Sequence, residues 1–135
     1  IQVPAGAGLW PAFWMLPASH QDDNGEIDIM EMYDTDPTAV YGTVHRLGAQ
    51  QQHSDAAGTN LSAGWHTFAV DWEPDHITWY LDGTAYATTT SQSLIPTEAM
   101  FPIFDLAVGG HNNAPNASTP FPATMNVDYV RIWQK

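Results

Sequence analysis

Three carboxylates lie within six residues of the stretch at residues 25–32, which reads GEIDIMEM. The interleaved Ile and Met residues predict a β-strand with one acidic face. Strand side chains alternate with period 2, so Glu26 and Asp28 share a face. In a regular strand, Glu31 would lie on the opposite face. A β-bulge at residues 29–30 would return Glu31 to that face. We therefore predict a bulged strand that presents the three acids together.

Carboxylates on one face repel one another, and this repulsion raises the pKa of at least one of them. Glycoside hydrolysis with retention needs such a pair, one acid as nucleophile and the other as proton donor, about 5–5.5 Å apart. Asp28 lies between Glu26 and Glu31, where it can hold a proton or a hydrogen bond and separate their pKa values. A calcium site and an acidic edge strand are the alternatives, although Ca²⁺ usually draws its ligands from a flexible loop.

Composition narrows the class of partner. The chain has 135 residues, 44% of them hydrophobic, and six Trp, which indicates one folded domain. Its net charge is −12, with Arg46, Arg131 and Lys135 as the only Lys or Arg residues. This charge disfavours nucleic acid and anionic membranes and fits an uncharged partner. There is no cysteine, so disulfides are excluded, and no apolar run reaches the roughly 18 residues of a membrane span.

Short strand patterns recur along the rest of the chain. Asp82-Gly83 predicts a type I′ hairpin turn. The Gln- and Ser-rich residues 48–64 predict a long loop, and residues 96–100 predict one helical turn. Many short strands separated by turns indicate an antiparallel β-sandwich. The further predicted strands are residues 9–16, 39–47, 65–72, 77–81, 84–90, 102–108 and 125–133.

Two tryptophans on the first predicted strand are candidates for sugar binding. Trp10 and Trp14 are four residues apart and therefore share a face. An indole ring stacks well on the apolar face of a sugar, while the sugar edges take hydrogen bonds. Core packing is the alternative for both side chains.

Residues 25–31 match the Glu-x-Asp-x-x-Glu motif of glycoside hydrolase family 16, in the longer-spaced form of laminarinase-like β-1,3-glucanases. Residues 8–17, 64–72 and 127–133 resemble further strands of that group. The chain is similar over nearly its whole length, which implies one family 16 domain at residues 1–135 with a concanavalin-like antiparallel β-sandwich, the jelly roll. The match is to the C-terminal part of a longer domain, so we expect a partial domain that lacks the N-terminal strands.

The resemblance implies a retaining endo-glycosidase that cuts β-1,3-glucosidic bonds of laminarin-like or mixed-linked β-glucans by double displacement. Glu26 would be the nucleophile, Glu31 the acid and base, and Asp28 would tune the pair. The second hypothesis is a non-catalytic, lectin-like module that binds β-glucan, against which the three retained acids argue. The expected partner is a neutral polysaccharide, and we expect a monomer that is secreted or at the cell surface.

The resemblance also implies roles for residues other than the three acids. It places Trp14, Trp10 and His45 in the substrate cleft, with His45 near the acid and base. Met30 would line the subsite floor unless it packs in the core. The resemblance further suggests a sugar contact at Asn112.

Cofactor needs also follow from the resemblance. It implies no cofactor for catalysis. Some members hold a structural Ca²⁺ on the convex face through an Asp at the position of Asp128.

Overall fold

The computed structural model describes residues 1–19, 25–33, 36–56, 58–110 and 114–134. Within these ranges the regular structure consists entirely of β-strands, and no helix is long and apolar enough to cross a membrane. The eight strands are β1 (Leu9–Pro17), β2 (Glu26–Glu31), β3 (Ala39–Arg46), β4 (Ala49–Ala56), β5 (Phe68–Glu73), β6 (His76–Leu81), β7 (Thr84–Thr89) and β8 (Met100–Val108).

The strands form two antiparallel sheets, as the sequence predicts. The larger sheet has the order β4-β3-β2-β1-β8, and the smaller has the order β5-β6-β7. Apolar side chains from facing strands pack between the sheets, where Trp79 of β6 is fully buried. The indole N–H of Trp79 donates to the backbone oxygen of Asp28 at 2.8 Å. The acidic strand β2 is therefore the centre of the larger sheet and is tied to the smaller one.

Two tight hairpins have the same backbone geometry. Asp82 and Gly83, with φ of 50° and 79°, join β6 to β7, which confirms the predicted type I′ turn. Leu47 and Gly48, with φ of 54° and 74°, join β3 to β4 in the same way. The prediction of a loop over residues 48–64 is therefore wrong for the part that forms β4. Leucine rarely takes a positive φ, so Leu47-Gly48 does not resemble a typical hairpin turn.

The predicted strand at residues 125–133 does not form in the described part of the chain. Asn126 makes one isolated bridge with Gln2, and no strand hydrogen bonding continues beyond it. Ile132 and Trp133 are 74% and 81% exposed. The segment has the composition of a strand, but an extended segment needs a neighbour to pair with, and no described strand lies beside it.

The predicted helical turn at residues 96–100 is also wrong. The chain turns earlier, where the backbone N–H of Leu94 donates to the carbonyl of Ser91 at 2.9 Å. Strand β8 then begins at Met100, where it pairs with Pro17. Pairing with β1 along its whole length offers Met100 a strand partner, which outweighs the weak helical preference of this short segment.

Candidate active site

A β-bulge in β2 controls which side chains share a face. Between Asp28 and Glu31, three steps along β2 match two steps along β3. On the side of β1, Asp28 and Met30 are paired with consecutive residues, and Ile29 is the extra residue. The predicted bulge is confirmed, and it restores Glu31 to the side of the sheet that carries Asp28.

The three acids meet one histidine on this face. His45 lies directly opposite Glu26 on β3. Its Nε2 is 2.9 Å from Asp28 Oδ2 and 3.6 Å from Glu26 Oε1. The charges of Asp28, His45 and Glu26 all act on Glu31. The structure therefore brings together the four residues that the sequence predicts for the reaction, although their roles in it stay predictions.

Glu31 is a buried acid whose pKa is raised. Its side chain lies on the sheet with the residue 8% exposed. Burial, followed by the negative charge of Asp28, raises the pKa of Glu31 from 4.5 to about 7. The indole N–H of Trp10 opposes this shift by donating to Glu31 Oε1 at 2.9 Å. A carboxyl group with a pKa close to neutrality can act as both proton donor and proton acceptor.

Asp28 and His45 form a pair beside Glu26. The Asp28 side chain is 4% exposed, and its Oδ2 accepts the hydrogen bond from His45 Nε2. This hydrogen bond raises the pKa of His45. Glu26 is more accessible, with 30% of its side chain exposed. The group therefore contains one accessible carboxyl group (Glu26), one buried carboxyl group held by a histidine (Asp28), and one buried acid with a raised pKa (Glu31).

Both predicted cleft tryptophans lie on the face of the larger sheet that carries Glu26, Asp28 and Glu31, which is named the catalytic face after the role predicted for these acids. Strand β1 pairs with β8 without a register shift, so Trp10, Ala12 and Trp14 share a face, and Ala12 is paired with Glu31. The indole N–H of Trp14 donates to Asp105 Oδ1 at 2.7 Å. Sequence reasoning missed Asp105, although a lone acid at the centre of an apolar strand was the available signal.

Met30 does not lie on the catalytic face. Its exposed fraction is 0%, and it belongs to the core cluster. It pairs with Phe13, whose ring stacks on Phe104 at 4.3 Å between centroids. The prediction of a subsite contact is wrong because the bulge places the side chains of both Ile29 and Met30 in the core.

A polar and aromatic row continues the catalytic face across β3 and β4. Tyr41 is paired with Glu31, and its ring stacks on Tyr33 at 4.6 Å between centroids. Gln52 Nε2 donates to the hydroxyl of Tyr33 at 2.5 Å. An open cavity of about 260 Å³, lined by Glu26 and the β3–β4 hairpin, lies at the end of this row. Sequence reasoning missed Gln52 because it treated β4 as a loop.

The geometry agrees with a family match. The model of "Glycosyl hydrolases family 16" matches residues 1–131. The chain belongs to glycosyl hydrolase family 16. The longer-spaced acidic motif, the bulge and the two sheets are thus features of a family 16 chain, as the sequence suggested.

The chain is also similar to named relatives and to solved structures. The chain is 36% identical to "Glucan endo-1,3-beta-glucosidase A1" of Niallia circulans, over 99% of this chain and 23% of that protein. It is 35% identical to "Beta-glucanase" of Rhodothermus marinus, over 98% and 54%. The laminarinase catalytic domain of Thermotoga maritima superposes with a TM-score of 0.80 at 33% identity, over 90% of this chain and 56% of that one. The chain thus spans about half or less of the length of these relatives.

Two predictions for this family 16 chain are left untested by the structure. Asn112 lies outside the described residues. Asp128 is described, but the one described group of His and acidic side chains close enough to share a metal ion is Glu26, Asp28 and His45. That group coincides with the acids predicted for catalysis. A structural Ca²⁺ at Asp128 therefore stays a prediction.

Proposed function

We propose that this family 16 protein is a retaining endo-β-1,3-glucanase that acts on laminarin-like or mixed-linked β-glucans. The observation that carries the proposal is the contrast between two acids on one face. Glu31 is buried with its pKa raised to about 7, whereas Glu26 presents a more accessible carboxyl group beside His45. Such a division of environments is how one site keeps a proton donor and a nucleophile together.

In the first half of the reaction, the Glu26 carboxylate attacks the anomeric carbon of the bound glucose unit. Glu31 gives its proton to the glycosidic oxygen as the carbon–oxygen bond breaks. The shortened glucan leaves with a free hydroxyl, and the other part is held as an ester on Glu26. Proton donation is needed because an unprotonated sugar alkoxide is a poor leaving group.

In the second half, Glu31 is a carboxylate and removes a proton from water. The oxygen of that water attacks the anomeric carbon, the ester bond breaks, and Glu26 is released as a carboxylate. Two inversions at one carbon give a product with the original β configuration. The pKa of Glu31 near 7 suits both directions of proton transfer at neutral pH.

The rest of the face supports a neutral polysaccharide as substrate. Trp14 and the stacked Tyr33 and Tyr41 offer aromatic surface, and Gln52 and Asp105 offer groups for sugar hydroxyls. The names of the relatives favour β-1,3 linkages. A polymeric glucan is a substrate found outside cells, so we further propose that the protein is secreted or located at the cell surface. We also propose that it is a monomer.

The proposal predicts retention of configuration. Proton NMR of laminarin during the first minutes of reaction should show the β anomer of the new reducing end before mutarotation produces the α anomer. An initial α anomer would contradict a nucleophilic Glu26. Glucan binding without any release of reducing sugar would instead support a lectin-like module.

The pKa of Glu31 predicts the alkaline side of the pH profile. Because Glu31 must be protonated for the first half of the reaction, kcat/KM should fall as the pH rises through about 7. In Asp28→Asn, the negative charge that helps to raise this pKa is lost, so the alkaline limb should move to lower pH. The measurement is kcat/KM on laminarin between pH 4 and 9. A limb that stays in place, or moves to higher pH, would show that Asp28 does not act on Glu31 in this way.

A further inference from the structure

Trp10 has a ring that is held in place on the catalytic face. A Cβ atom at Gly110, whose φ is 104°, would lie 2.5 Å from Cζ3 and 2.7 Å from Cε3 of Trp10, so the glycine backbone packs against the six-membered ring. The ring of Tyr33 meets it edge-on, at 5.9 Å between centroids and 78° between planes. Contacts with these two residues limit both the movement of the indole and its free surface.

The fixed ring directs one hydrogen bond. Trp10 Nε1 donates to Glu31 Oε1 at 2.9 Å. The indole nitrogen is a donor only, so Oε1 of Glu31 must be an acceptor in this contact. The carbonyl oxygen of a neutral carboxyl group is its better acceptor, so the contact favours Oε1 as the carbonyl oxygen and Oε2 as the oxygen that carries the proton.

We propose that Trp10 is a positioning residue for the acid and base, which holds Glu31 Oε1 as an acceptor so that Oε2 gives and takes the catalytic proton. This inference rests on the proposed function, because it assigns a partner to the acid of that reaction. It differs from the sugar-stacking role that the sequence predicts for Trp10.

The hydrogen bond should contribute more as the proton leaves. In the first step the Oε2–H bond of Glu31 breaks, the glycosidic oxygen takes the proton, and the negative charge spreads over both carboxylate oxygens. A hydrogen bond to an ionised acceptor is roughly twice as strong as one between neutral groups. Trp10 thus stabilises the charge that develops on Glu31, in agreement with its lowering effect on the pKa of that acid.

The test removes the N–H group and keeps an aromatic ring. Trp10→Phe should lower kcat on laminarin by about 10–100-fold, since acid catalysis contributes typically 10²–10⁴-fold. The kcat/KM on 2,4-dinitrophenyl β-laminaribioside reports formation of the glycosyl ester. Because this leaving group departs without a proton, the loss in kcat/KM should stay within about threefold. The alkaline limb of kcat/KM on laminarin should move to higher pH, because the bond that lowers the pKa of Glu31 is gone.

Trp14→Phe is the matched control. Trp14 lies on the same strand and face, but its N–H group donates to Asp105. A change in KM for Trp14→Phe is compatible with the proposal. The alkaline limb of its pH profile of kcat/KM should coincide with that of the wild type. Three results for Trp10→Phe would overturn the proposal in favour of sugar stacking. They are a similar loss on both substrates, a change confined to KM, and an alkaline limb of the pH profile that does not move.

Two further measurements test this inference separately from the proposed function. Carbon-13 NMR of labelled glutamate reads the pKa of Glu31 directly, whether or not the protein cleaves glucan. A higher pKa in Trp10→Phe supports the inference, and an unchanged pKa overturns it. If Trp10→Phe does not fold, 3-benzothienylalanine at position 10 has the shape of the indole without its N–H group and is measured in the same way. Absence of glucan cleavage by the wild type would contradict the proposed function alone.

Discussion

Glu26→Gln is expected to lower kcat on laminarin by at least about 10⁴-fold, which corresponds to about 5.5 kcal/mol of transition-state stabilisation. An amide oxygen is a poor nucleophile, so the ester intermediate no longer forms. The substitution is nearly isosteric, and 30% of the side chain is exposed, so the sheet should tolerate it. Reducing-sugar release measures the loss, and unchanged circular dichroism and glucan binding show that the fold and the cleft persist.

Glu73→Gln is the control for this loss. Glu73 ends β5, in the smaller sheet and away from the catalytic face. The activity of Glu73→Gln should therefore match that of the wild type. Small anions provide a second check, because azide can replace a missing nucleophile. Glu26→Ala with azide and an activated aryl glycoside should form the α-glycosyl azide by one inversion. Wild-type activity in Glu26→Gln would remove Glu26 as the nucleophile, and with it the proposed double displacement.

The acidic strand was predictable because its requirements are local. Period-2 alternation, together with the need for Glu31 on the side of Asp28, demands one extra residue between them, and the structure has it at Ile29. The side chain of Met30 was harder to place. A bulge can be accommodated with either residue turned outward, and only the packing against Phe13 shows that Met30 points into the core.

The missed parts of the face depend on distant contacts. Strand β4 is reached through Leu47 at positive φ, a conformation that pairing with β3 supports and that no local preference predicts. The bond from Trp14 to Asp105 joins residues 91 positions apart. Trp10 and Glu31 are likewise joined only because β1 lies beside β2. Sequence patterns therefore predicted the acids themselves better than the groups that adjust their chemistry.

Glu31→Gln is expected to lower kcat on laminarin by about 10³–10⁴-fold, because the amide neither donates the proton to the leaving oxygen nor takes one from water. The loss of the first function is specific to poor leaving groups. Formation of the glycosyl ester from 2,4-dinitrophenyl β-laminaribioside should therefore proceed, and its slow hydrolysis should produce a burst of dinitrophenol. Stopped-flow absorbance measures this burst. Equal losses on both substrates, without a burst, would assign Glu31 a role other than proton transfer.

The same substitution should change how stability depends on pH. The pKa of Glu31 is raised from 4.5 to about 7 in the fold, so its favourable contribution is complete below about pH 4.5 and is lost as the pH rises through about 7. At pH 8 the ionised side chain lowers the free energy of unfolding by on the order of 3 kcal/mol relative to its contribution at low pH. Glu31→Gln has no such group, so urea unfolding should show it gaining stability relative to the wild type between pH 5 and pH 8.

A matched glutamate separates this effect from a general change of charge. Glu98 accepts hydrogen bonds from the backbone N–H and hydroxyl of Ser19 at an exposed position, so Glu98→Gln removes one negative charge without relieving a buried one. Between pH 5 and pH 8, the gain in stability of Glu31→Gln relative to the wild type should exceed any change in Glu98→Gln. If Glu31→Gln follows the wild type from pH 5 to pH 8, then Glu31 ionises without cost in the fold. A group that ionises so freely would be a carboxylate at neutral pH, and it would lack the proton that the first half of the reaction requires.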